Sequence, residues 1–322
     1  MKPAQWIEWQ WTLKKPKSEA KDPSKPPLLH LLHKGITLPM AKVLSISSQV
    51  VYGHVGNSAA VFVLQRTGHD VLAVPTVILS NRPGYKAIAG ERADPQKLHA
   101  MLEAVLDNGS LADVDAVLTG YVPTAGHAEF CASWIARIKT FNPNAIYLCD
   151  PIIGDEPGGI YIDKAAANGV RDRLLPLADI VTPNAFELQW LSGLVISDAA
   201  SAVLAARALK RPAVVVTSAP AGTGMIANIL VEGHETAATA SARRAVQAHG
   251  TGDFFASIFL AHRLRGQPAV TALRASAAAM DGILDRSDGR SELALIETQD
   301  QWAAASPTLA PLFPLSATAS SK

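Results

Sequence analysis

Two glycines around a threonine, followed at once by an aspartate, stand at His249-Gly250-Thr251-Gly252-Asp253. The residues after them are mainly apolar and suit a helix over 252–264, so the motif opens that helix. Glycine lets a backbone come close to a ligand without Cβ in the way. The unpaired amides of a first helical turn, with the helix dipole behind them, favour an anion. A transferring phosphoryl group is such an anion, and Asp253 is placed to take the proton of an attacking hydroxyl. A plainer reading stays open: Thr251 as an N-cap and Asp253 as a complement to the helix dipole.

A second constellation is Thr182-Pro183-Asn184-Ala185-Phe186-Glu187. Asn184 and Glu187 suit a magnesium ion held through water beside nucleotide phosphates. The same pair, three residues apart, suits a capping box at a helix start. Both can hold at once. Asp150 follows an apolar run over 145–149 and precedes Pro151. It fits a carboxylate tuning a metal–phosphate cluster, and equally an Asx-type turn. Cys149 reads as a small buried hydrophobe. His54, after Tyr52 and Gly53, reads as a ligand contact or as a hydrogen-bonding spacer. No Walker-type glycine-rich loop with its lysine is present, which excludes a P-loop fold.

The elements that must carry these residues alternate. Short apolar strands are predicted over 43–46, 70–74, 116–119, 145–149, 179–181 and 213–217. Helices are predicted over 57–66, 95–106, 127–140, 164–174 and 198–210, with a hairpin of 225–231 and 235–241 around Gly233 and two closing helices over 252–264 and 270–284. Such alternation implies an α/β fold with a mostly parallel sheet and helices on both faces. Ligands in such sheets bind beyond the carboxyl ends of the strands. Those ends supply Ser47-Ser48-Gln49, Gly120-Tyr121, Asp150, Thr182 to Asn184, and Thr217-Ser218.

The chain has 322 residues, 48% of them apolar and 18% charged, with a net charge of +1. That balance excludes wholesale disorder and argues against nucleic acid as a partner. Two cysteines, Cys131 and Cys149, are too few for a disulfide framework or a cysteine-based zinc site, and a cytoplasmic setting is expected. No apolar run of about eighteen residues is present, so no membrane span is expected. Residues 1–40 carry Trp6, Trp9 and Trp11 and a basic, proline-punctuated stretch over 14–27, and read as a flexible extension or a start placed ahead of Met40. A single domain over 41–305 follows, and 306–322 reads as a flexible tail.

In this order, the pieces resemble the pyridoxal kinase family of the ribokinase-like superfamily. The resemblance runs from about Val43 to about Ile283 and is carried by the segments 44–57, 118–121, 149–155, 180–187 and 250–253. The opening segment, with Val51-Tyr52-Gly53-His54-Val55-Gly56-Asn57, is its most specific part. The resemblance implies phosphorylation of the 5′-hydroxymethyl group of pyridoxal, pyridoxine or pyridoxamine from Mg2+-bound ATP, often with a monovalent cation (K+ or Na+), in a homodimer. It implies Asp253 as the catalytic base and the Gly250 to Gly252 amides as the anion hole. Ser48 and Tyr121, with Asp253, match positions at the vitamin. Asp150, Thr182, Asn184, Glu187, Thr217, Ser218 and Thr251 match positions around ATP, with Glu187, Asp150 and Asp155 at the metal.

Two departures stand out. Gln49 takes the place of a histidine, and the family's Ser-Asn-His-Thr-Gly-Tyr reads Ser80-Asn81-Arg82-Pro83-Gly84-Tyr85. Pro83 supplies neither hydroxyl nor amide donor, and Arg82 brings a permanent cation toward the acceptor. A kinase for another small alcohol, such as hydroxymethylpyrimidine or a sugar, is the neighbouring alternative. A non-catalytic sensor of vitamer or nucleotide is the more distant one.

Overall fold

Val43, Leu44 and Ile46 alternate between the two faces of one strand and are all fully buried, which requires that strand to be covered on both sides. The computed structural model describes residues 40–244, 248–304 and 307–315. The strand is β1 (Lys42–Tyr52), followed by α1 (Asn57–Arg66), β2 (Asp70–Asn81), β3 (Gly90–Arg92) and α2 (Pro95–Asp107). Next come β4 (Ala116–Thr119), α3 (Ala125–Phe141), β5 (Ile146–Cys149) and the short pair β6 (Gly154–Asp155) and β7 (Gly159–Ile160). α4 (Lys164–Gly169) passes into a π-helical turn over Val170–Leu174, then β8 (Ile180–Val181), α5 (Ala185–Ser192) and α6 (Ala199–Ala208). β9 (Ala213–Pro220), β10 (Met225–Glu232), β11 (Glu235–Ala242), α7 (Thr251–Leu264), α8 (Ala269–Arg286) and α9 (Gln299–Trp302) complete the order.

The main sheet runs β11-β10-β9-β8-β5-β4-β1-β2-β3. Pairs from β2 through β9 are parallel, while β3, β10 and β11 add antiparallel edges. One apolar layer joins Leu44, Ile46, Val117 and Val214 to α2, α3, α5 and α6, with Trp134 at its heart. The other joins Val43, Leu118, Leu148 and Val215 to α1, α7 and α8, including Phe254, Phe259 and Trp302. Each of these large side chains contributes about 2 kcal/mol by leaving water. The two layers hold α7 against the sheet. That fixes where its first turn sits.

Two findings differ from the sequence reading. β1 and β2 run well past Ile46 and Val74, because their pairing continues through polar residues, with a register shift between Ser47 and Gln49. Buried Asn57 supports that shift, donating to the carbonyls of Ser47 and Val74 and accepting from the Ser45 hydroxyl. The expected tail is also shorter where it is described. Over 307–315 the chain lies on the body, with Ala310 N–H donating to Arg274 O, Arg274 Nε to Ala310 O and Phe313 N–H to Ala238 O. Phe313 and Leu315 pack against the core, an apolar spacing masked by the surrounding prolines. The extension over 1–39, and 316–322 of the tail, lie outside the described residues.

Candidate active site

The N-terminus of α7 is shaped by Gly250, which sits at φ +95° directly before the first helical residue. A Cβ there would stand 1.9 Å from His54 O, so the loop after β1 and the start of α7 touch only because residue 250 is glycine. Gly250 is thus the N-cap and Thr251 the first helical residue, so the Thr251-as-N-cap reading does not hold. Gly252 is different: a Cβ there would meet nothing nearer than Asp150 Oδ2 at 3.9 Å. Its small size leaves room over the helix start. The first-turn amides face that room.

Asp253 projects from this turn into a cavity of about 10 Å³ that it shares with Ser47, Gly120 and Asp150. Burial pushes its carboxyl up to about 6, against the pull of the Gly56 amide and its own. Asp150 is carried by the end of β5, where its amide donates to Thr119 O and Thr182 Oγ1 donates to its Oδ1 at 2.9 Å. Burial, and then the charges of Glu187 and Asp253, hold Asp150 well above the usual carboxylate range. The Oδ2 oxygen faces Gly252.

Glu187 lies on α5 and closes a capping box with Asn184: Glu187 N–H donates to Asn184 Oδ1, and Asn184 N–H donates to Glu187 Oε2. Glu187 Oε1 accepts from the Ile153 amide at 2.8 Å and from Gly154. Burial still raises its carboxyl to about 7. Asn184 Nδ2 reaches Gly154 O, so this capping box also straps the loop entering β6. Asp155 lies on β6, and its carboxylate, after burial, helps to raise the Tyr161 phenol. Thr217, on β9, forms a parallel bridge with Asn184 and donates its amide to Pro183 O. Ser218 is exposed at φ +56°, with its amide toward Asn228.

On the acceptor side, Ser48 packs directly on Gly56, and Tyr121 is half-buried with its amide on Ser47 Oγ at 3.0 Å. It is Ser47, from the same polar triplet, that lines the cavity with Asp253. Ser47 is the last regularly paired residue before the register shift, and the sequence carries no sign of that shift. Gln49 donates to Ser58 at the start of α1. His54 contributes its backbone: its carbonyl meets Gly250 and its amide donates to Glu292. Cys149 is buried, its thiol pushed up to about 12, which excludes it as a nucleophile at neutral pH.

Glu187 and Asp253 both bear electrostatically on Asp150, so the three carboxyls form one coupled group. Among the described residues no three His, Cys, Asp or Glu side chains form a ready-made metal cage. Glu187 is engaged by amides and Asp150 Oδ1 by Thr182, while Asp150 Oδ2 faces Gly252. Such a set fits a hard cation that brings most of its oxygen ligands with it.

Three comparisons with known proteins bear on the family of the chain. A family model described as phosphomethylpyrimidine kinase matches residues 61–288. The chain is 38% identical over 272 residues to pyridoxal kinase PdxY of Leifsonia xyli subsp. xyli, covering 81% of this chain and 95% of that protein. It is also 38% identical over 251 residues to a pyridoxine/pyridoxal/pyridoxamine kinase of Bordetella bronchiseptica, covering 76% of this chain and 89% of that one. Among solved structures, pyridoxal kinase from Leishmania donovani in complex with ADP and pyridoxamine superposes with a TM-score of 0.77 at 31% identity, covering 85% of this chain and 99% of that one.

Proposed function

The chain belongs to the pyridoxal kinase family, and from that premise we propose that it transfers the γ-phosphoryl group of ATP to the 5′-hydroxymethyl group of a B6 vitamer. The single observation that carries this reading is Asp253, half-buried in the first turn of α7 beside amides that face open space. The acceptor oxygen attacks the γ-phosphorus, the bond from that phosphorus to the bridging oxygen breaks, and ADP leaves. The hydroxyl proton passes to Asp253, while the amides at Gly250, Thr251 and Gly252 receive the charge of the moving phosphoryl group.

Magnesium, when bound with the nucleotide, would neutralise phosphate charge, and Asp150 Oδ2 is the oxygen of this chain best placed to hold it. Glu187 and Asp155 act on the cation through their field and through water. Thr182, Asn184, Thr217 and Ser218 border the nucleotide, and Ser48 and Tyr121 border the vitamer. A monovalent cation, K+ or Na+, belongs to the same reading. A second copy of this chain is the partner we assign to the projecting end of β1, where Val51 and Tyr52 are 84% and 58% exposed.

An ATP-consumption assay over pyridoxal, pyridoxine, pyridoxamine, hydroxymethylpyrimidine and ribose tests the reading, with Asp253→Asn as control. Turnover of at least one vitamer is expected. A pyrimidine kinase is the second reading, since the matching family model is described as phosphomethylpyrimidine kinase, and turnover of hydroxymethylpyrimidine with no vitamer would establish that one instead. Tight binding without turnover of any acceptor would favour a sensor.

A further inference from the structure

The two unusual residues of the acceptor-side loop, Arg82 and Pro83, form one device with a residue far along the chain. Arg82 Nε donates to Glu292 Oε1 at 3.3 Å, Nη2 to Ser291 O at 3.1 Å and Nη1 to Pro83 O at 3.0 Å. Its side chain is 11% exposed and that of Glu292 14%. The guanidinium lies 4.9 Å from the centre of the Tyr85 ring, and the Tyr85 hydroxyl donates to the same Glu292 oxygen at 2.7 Å. Gly84 sits at φ +104°, and a Cβ there would stand 3.0 Å from Nη1. The loop is therefore folded around the guanidinium. Proline supplies a fixed φ and a returning carbonyl, and glycine leaves the clearance.

Glu292 has a second oxygen, which accepts the His54 amide at 3.1 Å. His54 O is the group that meets Gly250 at the start of α7, and Glu292 itself bridges to His249. Glu292 thus ties the loop after β1 and the loop after β2 through its carboxylate, and the segment ahead of α7 through its backbone.

We infer that Arg82 and Glu292 are positioning residues: a latch that holds loop 82–85 over the acceptor and seats the His54–Gly250 contact, with the arginine's charge satisfied inside the protein instead of offered to the substrate. Its kinetic consequences rest on the vitamer kinase reading; its effect on loop order does not. The two are separable by measuring hydrogen exchange alongside steady-state kinetics on the full chain.

Arg82→Ala should speed exchange at the amides of 84–90 by roughly tenfold, leave those of 53–56 unchanged, and raise the KM for pyridoxal by roughly tenfold with the KM for ATP steady. Glu292→Ala should free both segments and also lower kcat, and the double variant should match Glu292→Ala alone. Arg82→Gln serves for the exchange measurement if the alanine variant fails to fold. A raised pyridoxal KM with unchanged exchange over 84–90 would mean that the cation contacts the acceptor directly, and the latch would be overturned. Unchanged exchange with unchanged kinetics would overturn it as well. Changed exchange in an enzyme that turns over no vitamer would support the latch while refuting the kinase reading.

Discussion

Helix α7 buries ionisable side chains at both ends, and the two ends treat them in opposite ways. At its N-terminus Asp253, with Asp150 and Glu187 nearby, is raised by burial, yet Asp253 and Asp150 line a cavity while amides and a threonine hydroxyl hold Glu187 and Asp150 in place. At its C-terminus His262 is fully buried and pushed down to about 4 by burial and then by the charge of Arg265. His69, also buried, is lowered mainly by burial. Neither ring nitrogen of His262 has a hydrogen-bond partner among the described residues, and Arg265 donates to Thr67 O. A helix C-terminus favours a cation, but here desolvation wins and the imidazole stays neutral. Burial of a titratable group is thus no mark of chemistry. What separates the ends is whether the group is aimed at space with donors around it.

The largest test falls on the N-terminal end. Asp253→Asn keeps the shape but cannot take a proton, so kcat should drop by about 10²–10⁴ with ATP KM nearly unchanged and the melting temperature at pH 7 held or raised. Turnover within a few-fold of the unsubstituted enzyme would reduce Asp253 to the rank of His262. The two glycines of the motif should then part company. Gly250→Ala meets His54 O and a positive φ, and should lose about 1–3 kcal/mol of stability together with activity. Gly252→Ala meets no protein atom closer than 3.9 Å, so the melting temperature should hold or rise while phosphoryl transfer falls.

Acid titration of stability compares the ends directly. His262 has its folded value below its ordinary one, so its contribution is intact above about pH 6.5 and is lost as pH falls toward about 4. Asp253 and Glu187 have folded values above their ordinary ones. The folded state takes up their protons first, so stability grows as pH falls through about 7 and about 6. His262→Phe should therefore flatten the acid loss seen in denaturant melts from pH 7 to 4, and Asp253→Asn should steepen it. The smallest effect expected is kinetic: kcat/KM for pyridoxal should decline below about pH 6, where Asp253 holds its proton, and a flat profile would leave the base unassigned.

Much of this was legible in the residues. The capping-box spacing of Asn184 and Glu187 predicted a helix start, and α5 begins there with both hydrogen bonds made. Glycine, threonine, glycine and aspartate predicted a helix N-terminus open to an anion, and α7 supplies one. Helix α1 spans 57–66 as its apolar spacing implied. Strand ends were less visible, because Ser47, Gln49 and Pro75 look like loop residues until the parallel register carries pairing through them. Glu292 was invisible. It stands 238 residues from His54 in a stretch without periodicity, and only folding brings its oxygens to Arg82, Tyr85 and His54.

The segment over 307–315 bears on how the protein behaves in a crowded solution. β11 is the outermost strand of the sheet, and its sequence, Glu235 to Ala242, is small, uncharged after its first residue and rich in threonine and alanine. A strand of that kind with its rim open is a template for another molecule's backbone. The Phe313 amide takes the Ala238 carbonyl on that rim, and Phe313 and Leu315 roof the core beside it. Removing the chain from Pro307 onward should therefore be felt first in light scattering, as concentration-dependent self-association, while the chemistry at the central strands of the sheet continues.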